Sequence, residues 1–179
     1  FGGRTLFSGL ISAPLVMPEV ITGLAILLMF VTLERAIGWP SERGMITITI
    51  AHITLTMSYV YLVVQARLAD FDMSLEEAAM DLGAKPSTVF FKITLPLISP
   101  SLMSGWLLSF ALSLDDVVVA SFLAGPGSTT LPILVFSSVR TGVTPELNAL
   151  ATIIVGIVSI GILISGLVIY RRTTKNSKI

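Results

Sequence analysis

The sequence predicts an all-α, polytopic membrane protein, and three observations carry that prediction. Hydrophobic residues make up 54% of the 179 residues and charged residues only 12%, whereas charged residues are about a quarter of a soluble domain. Four segments are long and apolar enough to cross a bilayer as helices, which takes about 20 residues each. The basic residues are concentrated in alternate loops between these segments, as expected for a multi-pass protein.

The four spans form one predicted transmembrane domain covering residues 1–179. Pro14 and Pro18 remove backbone donors within the first span, so we expect a kink or a break there, immediately before Glu19. The fourth span is uncharged, rich in β-branched residues and contains glycine, a composition typical of helices that pack against other membrane helices. The spans are predicted at residues 10–33, 45–66, 97–123 and 147–170.

The loop charges predict the orientation of the chain. Eight of the eleven basic residues lie before the first span, between the second and third spans, or after the fourth, and the other three are Arg35, Arg43 and Arg140. Because cytoplasmic loops retain positive charge, we expect both termini of this chain and the segment 67–96 to be cytoplasmic. Residues 124–146 are then extracytoplasmic, and the apolar run 131–139 predicts a short helix at the interface.

The formal net charge is zero, so nothing indicates a nucleic acid partner. The absence of cysteine excludes disulfides and thiolate metal sites within these residues. A phosphate-binding loop of the form G-x-x-x-x-G-K-[ST] is also absent from the sequence, because no lysine follows a glycine. We therefore expect no ATP chemistry and no cofactor on this chain.

A charged stretch within the segment 67–96 predicts a helix, a turn and a second helix. Ser74 and Glu77 have the spacing of a capping box, and Gly83 suits the left-handed conformation at a helix C-terminus, with Pro86 suited to the first turn of the next helix. The polar side of this first helix is acidic rather than lysine-rich, which favours a protein partner over the alternative of a helix resting on lipid headgroups. Its acidic residues are Glu76, Glu77 and Asp81.

This stretch resembles the coupling loop of ABC importer permeases. The family pattern is Glu-Ala-Ala, three residues, Gly, nine residues, then Ile-x-Leu-Pro, and it is matched at every position by Glu77, Ala78, Ala79, Gly83, Ile93, Leu95 and Pro96. The resemblance implies a type I ABC importer permease fold and a loop that docks, through these residues together with Glu76 and Asp81, on a dimer of separate ATPase subunits. Those subunits would bind the ATP and Mg.

Three acidic residues fall within predicted spans, where a carboxylate costs about 2.5 to 3.5 kcal/mol to insert and is a functional hypothesis by default. They are Glu19, Asp115 and Asp116, and we expect all three to be candidates for the substrate pathway. Asp116 is also the last member of a helical stripe that we predict to line a substrate path, formed by Trp106, Ser109, Ser113 and Asp116. Asp115 shares its side with apolar residues, so we expect it to contact another helix or to cap a break.

Carboxylates beside aromatic faces suit an organic dication, through ion pairing and cation–π contact. A carboxylate pair with one distant histidine is, in contrast, a poor metal site. His52 is expected to be a hydrogen-bonded packing residue, while Tyr59 and Tyr61 are predicted either to pack or to line the path. The alternative for the acids is pairing with basic residues of another chain or contact with interfacial water.

Three further segments, "SAPLVMPEVITGL", "SGWLLSFALSLDDVVVASFLAGPG" and "TLPILVFSSVRTGVTPELNALAT", resemble the permeases of bacterial spermidine and putrescine importers, most of all the putrescine type. The resemblance implies a complex in the inner membrane with a second, different permease, an ATPase dimer and a periplasmic polyamine-binding protein. Such permeases have about six spans. Since this chain starts at Phe1 rather than methionine, we expect two N-terminal spans to be missing from it.

Two alternatives concern the function. The same permease role could serve another small solute, such as ferric iron, because carboxylates alone do not specify a polyamine. An intramembrane aspartyl protease would need Asp115 and Asp116 to face each other, but neighbours on a helix point about 100° apart, which argues against it.

Overall fold

The computed structural model describes residues 2–142 and 144–176, and describes side chains up to residue 160 apart from residue 141. The described residues are helical, with no strand among them. The helices are α1 (Arg4–Val16), α2 (Glu19–Ile37), α3 (Met45–Ala69), α4 (Ser74–Asp81), α5 (Pro86–Val89), α6 (Leu95–Asp115), α7 (Val118–Leu123), α8 (Leu131–Thr141) and α9 (Pro145–Asn176), with a π-helical turn, Phe90–Thr94, joining α5 to α6.

Among the described residues, three helices are long and apolar enough to cross a membrane: Glu19–Ile37, Met45–Ala69 and the continuous helix Pro86–Asp115. The fourth predicted span falls within α9, whose side chains beyond residue 160 lie outside the described part. The all-helical prediction is therefore confirmed, while the number of spans stays approximate.

Two predicted spans are interrupted. The first breaks at Met17 and Pro18, between α1 and α2, as the prolines predicted. The predicted limits of the third span, residues 97–123, were wrong. Its helix begins at Pro86, runs through the π-helical turn, ends at Asp115 and is followed by the separate short helix α7, because Asp116 leaves the helical conformation with φ −66° and ψ 121°.

The chain divides into two compact units, residues 1–133 and 134–179. In the first unit, a buried apolar cluster joins α2, α3 and α7, and its members are Ile26, Phe30, Ile48, Ala51, Leu55, Val119, Ala120 and Leu123. Close approach of α3 and α6 depends on Gly105, where an added Cβ would lie 3.2 Å from Val60. Small residues at such crossings are typical of membrane helix packing.

The second unit contains most of α8 and all of α9. The predicted short helix over 131–139 is confirmed as α8, and within it the Arg140 guanidinium lies 5.1 Å from the centre of the Phe136 ring. Many large apolar side chains of the first unit remain exposed in this single chain, among them Trp106 and Phe110, whose rings stack at 5.9 Å. Exposed apolar area of this extent requires lipid or partner helices to cover it.

Candidate functional site

A small cavity collects all three intramembrane acids. Glu19 lines it from the first turn of α2, Asp115 and Asp116 from the end of α6, and Tyr59 from α3. The cavity has a volume of about 190 Å³. The two breaks in the helices, after Val16 and after Asp115, thus bring carboxylates from distant parts of the chain to one place.

The helix ends at this cavity differ in charge: the N-termini of α2 and α7, at Glu19 and Val118, carry a partial positive charge, and the C-terminus of α6 a partial negative charge. The last carbonyl groups of a helix have no intrahelical partner and carry a partial negative charge. Because α6 ends at Asp115, its C-terminus adds to the field of the carboxylates. Interrupted helices around a site at membrane depth are also a recurrent feature of transporters.

Asp116 is the most constrained of the three acids. It is only 8% exposed, and one of its carboxylate oxygens accepts from His52 Nε2 at 3.0 Å and from the Ala120 N–H at 2.7 Å. The other oxygen accepts from the Val119 N–H at 3.1 Å. Asp116 therefore caps the start of α7 and ties it to α3.

His52 completes this polar network, since its Nδ1 lies 2.7 Å from Ser113 Oγ. The prediction that His52 is a hydrogen-bonded packing residue is confirmed. The assumption that it lies far from the carboxylates was wrong, because α3 and α6 pack side by side and place the ring directly on Asp116. Nothing in the 64 residues that separate the two positions signals this contact.

Asp115 and Glu19 are exposed, and no hydrogen bond or ion pair engages either side chain within the described residues. The structure thus reverses the roles expected for the adjacent aspartates: Asp116 caps the break and Asp115 opens into the cavity. Tyr59 is shown to line the cavity. Tyr61 instead donates to or accepts from Ser8 Oγ at 2.8 Å, which joins α3 to α1.

The predicted path-lining stripe is divided by the structure. Ser113 and Asp116 turn towards His52, whereas Trp106 is 59% exposed and stacks on Phe110. Ser109 is half-buried, and neither it nor Trp106 borders the acidic cavity. The stripe does not line this cavity as a unit, because Asp116 is its only member that borders the cavity.

The segment 67–96 forms the predicted helix, turn and helix. Gly83 has φ 82°. Its N–H donates to Met80 O, and the Ala84 N–H donates to Ala79 O, which is the Schellman arrangement of a helix C-terminus. Lys85 is extended and Pro86 opens α5. These local predictions are confirmed.

The capping box was wrong. Ser74 is the first residue of α4, and its N–H donates to Asp72 Oδ1 at 3.0 Å. Asp72 lies two residues upstream, where its carboxylate can accept from this N–H and also from the Ser74 hydroxyl. These two hydrogen bonds hold the pKa of Asp72 below its ordinary value of 3.8.

The neighbouring acids of α4 differ in their surroundings. Glu76 is half-buried and accepts a hydrogen bond from the Thr94 hydroxyl. Glu77 is exposed, like Ala78 and Asp81, while Ala79 is half-buried. Beyond the helix, Leu82 is 90% exposed. The outward side of α4 therefore presents the carboxylates of Glu77 and Asp81, the small side chain of Ala78 and the exposed side chain of Leu82.

The last residues of the coupling pattern follow on the next helix. Ile93 and Leu95 are half-buried and Pro96 is exposed.

Comparison with known proteins identifies the family. Residues 3–176 match the family described as binding-protein-dependent transport system inner membrane component, and the chain belongs to this family of transport permeases. The matched residues include the coupling pattern and all three acids of the cavity.

Individual relatives agree with this assignment. The chain is 63% identical over 160 residues to the putrescine transport system permease protein PotI of Escherichia coli strain K12, covering 89% of this chain and 57% of that protein. It is 40% identical over 172 residues to the spermidine/putrescine transport system permease protein PotC of Haemophilus influenzae, covering 96% and 64%. The chain thus spans roughly three fifths of the length of these relatives.

Proposed function

We propose that this chain is a translocation subunit of an ATP-driven importer for putrescine or a related polyamine. The observation that carries the proposal is the cavity in which Glu19 and Asp115 present unpaired carboxylates beside Tyr59. The proposal is also supported by the similarity of this chain to permeases named for putrescine and spermidine.

A diamine suits the charges that line the cavity. Two open carboxylates can pair with two ammonium groups, and Tyr59 offers an aromatic face to a cation. Asp116 is already engaged with His52, so it contributes to the field rather than to a direct ion pair.

Energy for transport would come from a separate ATPase dimer that holds the ATP and Mg. The coupling pattern supports this, since Glu77, Ala78 and Leu82 face outwards from α4. Closure of the ATPase dimer would push on α4, and α6 would carry the movement to the acidic cavity. This is alternating access, in which the cavity is exposed to one side of the membrane at a time.

The remaining partners and the orientation follow from the resemblance and the loop charges. A second, different permease would complete the pathway, and a periplasmic binding protein would deliver the polyamine. Both termini of this chain would be cytoplasmic in a bacterial inner membrane. The alternative cargo, ferric iron, gains no support from the relatives described above, since these are named for polyamines.

Uptake by the reconstituted complex tests this function. The full-length permease, its partner permease, the ATPase and the binding protein would be placed in liposomes, and ATP-dependent uptake of labelled putrescine and spermidine would be measured. Glu19→Gln and Asp115→Asn should each lower putrescine uptake about tenfold or more, because a hydrogen bond to a charged group contributes about 1.5 to 3 kcal/mol. Glu34→Gln, at the opposite end of α2, is the matched control.

Two results would contradict the proposal. One is a wild-type complex that hydrolyses ATP but imports neither polyamine. The other is normal putrescine uptake by the double variant of Glu19→Gln and Asp115→Asn, which would show that the cavity lies off the pathway.

A further inference from the structure

The contact between Glu76 and Thr94 is unusual within this chain. The hydroxyl groups of other helical threonines donate to backbone carbonyls: those of Thr32, Thr49, Thr54 and Thr56 to the carbonyl four residues earlier, and that of Thr47 to Gly44 O and Leu123 O. Thr94 instead donates to the carboxylate of Glu76, 18 residues away on another helix. Thr94 is only 6% exposed, so this hydrogen bond is shielded from water.

The helix around Thr94 has a local reason to differ. Pro96 has no N–H and its ring would clash with the carbonyl four residues earlier. The chain responds with a π-helical turn, in which the Leu95 N–H donates to Phe90 O, five residues back. A π-helical turn changes the direction in which the following side chains point, and such turns occur frequently at functional sites. Here it faces Thr94 towards α4.

We propose that Glu76 and Thr94 are a positioning pair that makes α4 and the start of α6 move as one body. The proposal rests on the proposed function, because it assigns the step by which movement of the ATPase reaches the membrane. Val89 of α5 is also buried, at 4% exposed. From Thr94, α6 extends 21 residues to Asp115, about 31 Å at about 1.5 Å per residue, and ends at the acidic cavity.

This assignment separates two neighbouring acids that the sequence grouped together. Glu77 is exposed, and no contact of its side chain within the described residues competes with a partner protein. Glu76 is turned inwards and engaged. We therefore assign docking to Glu77 and transmission to Glu76, which corrects the expectation that both dock on the ATPase.

A set of matched variants tests the pair in the full-length permease within the complete complex. Thr94→Val removes the hydroxyl and keeps the shape, Thr94→Ser restores the hydroxyl, and Glu77→Ala serves as the docking comparison. The measurements are the amount of ATPase that co-purifies, the rate of ATP hydrolysis, and putrescine imported per ATP hydrolysed.

The complex with Thr94→Val should still bind the ATPase and hydrolyse ATP at the wild-type rate. It should import at least about fivefold less putrescine per ATP hydrolysed, because coupling between two sites typically amounts to a factor of about five or more. Thr94→Ser should restore the wild-type ratio. A ratio for Thr94→Val within about twofold of wild type would overturn the proposal. So would loss of the ATPase from Thr94→Val to the extent seen in Glu77→Ala, because the pair would then only shape the docking surface.

A second measurement does not depend on the cargo. These 179 residues contain no cysteine, so Ser109→Cys on α6 supplies the one thiol among them, and its labelling can be compared with and without ATP after any cysteine elsewhere in the full-length permease is replaced by serine. ATP should change the labelling rate of Ser109→Cys when Thr94 is present and when it is replaced in Thr94→Ser. In Thr94→Val the labelling rate should be the same with and without ATP. If the wild-type complex imports no polyamine, the proposed function fails, and this labelling still decides the role of the pair: a response retained in Thr94→Val overturns it.

Discussion

The acidic cavity and the α4 segment each contain two consecutive acids, and in both places the two carboxylates have opposite surroundings. Asp116 is buried on His52 and the first turn of α7, while Asp115 is exposed in the cavity. Glu76 is engaged by Thr94, while Glu77 is exposed. Glu76 and Glu77 are neighbours within a helix and point about 100° apart, whereas Asp116 leaves the helix directly after Asp115. In both pairs, one acid can stabilise the fold while the other meets a partner or a ligand.

The largest difference is expected between the two aspartates. Asp116→Ala leaves the His52 ring and two backbone N–H groups without their acceptor in a buried position. Leaving a buried donor without its acceptor typically costs about 1 to 3 kcal/mol, and three donors are affected here. We expect poor accumulation in the membrane and a strongly lowered melting temperature in detergent, measured beside Asp115→Ala. Equal melting temperatures for the two variants would contradict the structural role of Asp116.

The glutamates should differ in a binding measurement rather than in stability. Glu77→Ala removes an exposed carboxylate, and we expect about tenfold weaker association with the ATPase, as for loss of one hydrogen bond to a charged group. Glu76→Gln keeps an acceptor for Thr94 and should bind the ATPase within about twofold of wild type. Titration of labelled ATPase onto the permease complex in nanodiscs measures both, and equal weakening would remove the distinction.

A smaller effect is expected at the end of α4. Gly83→Ala places a Cβ at φ 82°, a conformation that costs an ordinary L-residue about 1 to 2 kcal/mol. Open space surrounds this position, so the cost is backbone strain and not a clash. Gly83→Asn, which tolerates the left-handed conformation better, should keep more ATPase-coupled uptake than Gly83→Ala. The reverse order would show that the turn changes conformation during transport.

The smallest effect concerns Asp72. Since its pKa is lowered in the folded protein, its contribution to stability is present above the ordinary value of 3.8 and is lost as the pH falls through the lower, folded value. At neutral pH the carboxylate therefore stays ionised and keeps accepting from Ser74. Asp72→Asn should change the melting temperature slightly at pH 7, and progressively less as the pH falls from 3.8 to the lower, folded pKa, below which the wild-type carboxyl is protonated too. A larger effect in acid would contradict this order.

Local features were the predictable part of the molecule. Pro18 marked the first break, Gly83 the end of α4 and Pro86 the start of the next helix, because each residue acts through its own backbone. The capping box failed for a related reason: Asp72 and Ser74 compete for the same role, and only the chain direction before α4 decides between them.

Contacts between distant segments were not predictable. The pairing of His52 with Asp116 and of Glu76 with Thr94 depends on which helix faces which. Hydropathy also missed the break at Asp116, because the apolar residues of α7 continue the pattern of α6. The acids themselves were found from the sequence by their cost in a membrane, although the structure was needed to assign each one its surroundings.

The tie between Asp116 and α3 also determines which part of α6 can travel. Its Asp116 end is fastened to His52 and to α7, while its other end follows α4. Under load, such a helix behaves as a lever with its pivot at Asp116. A displacement of about 5 Å at Thr94, over a helix of about 31 Å, is a rotation of about 9°. The displacement is then largest on the α4 side, and it reaches the acidic cavity as a tilt of α6 about Asp116.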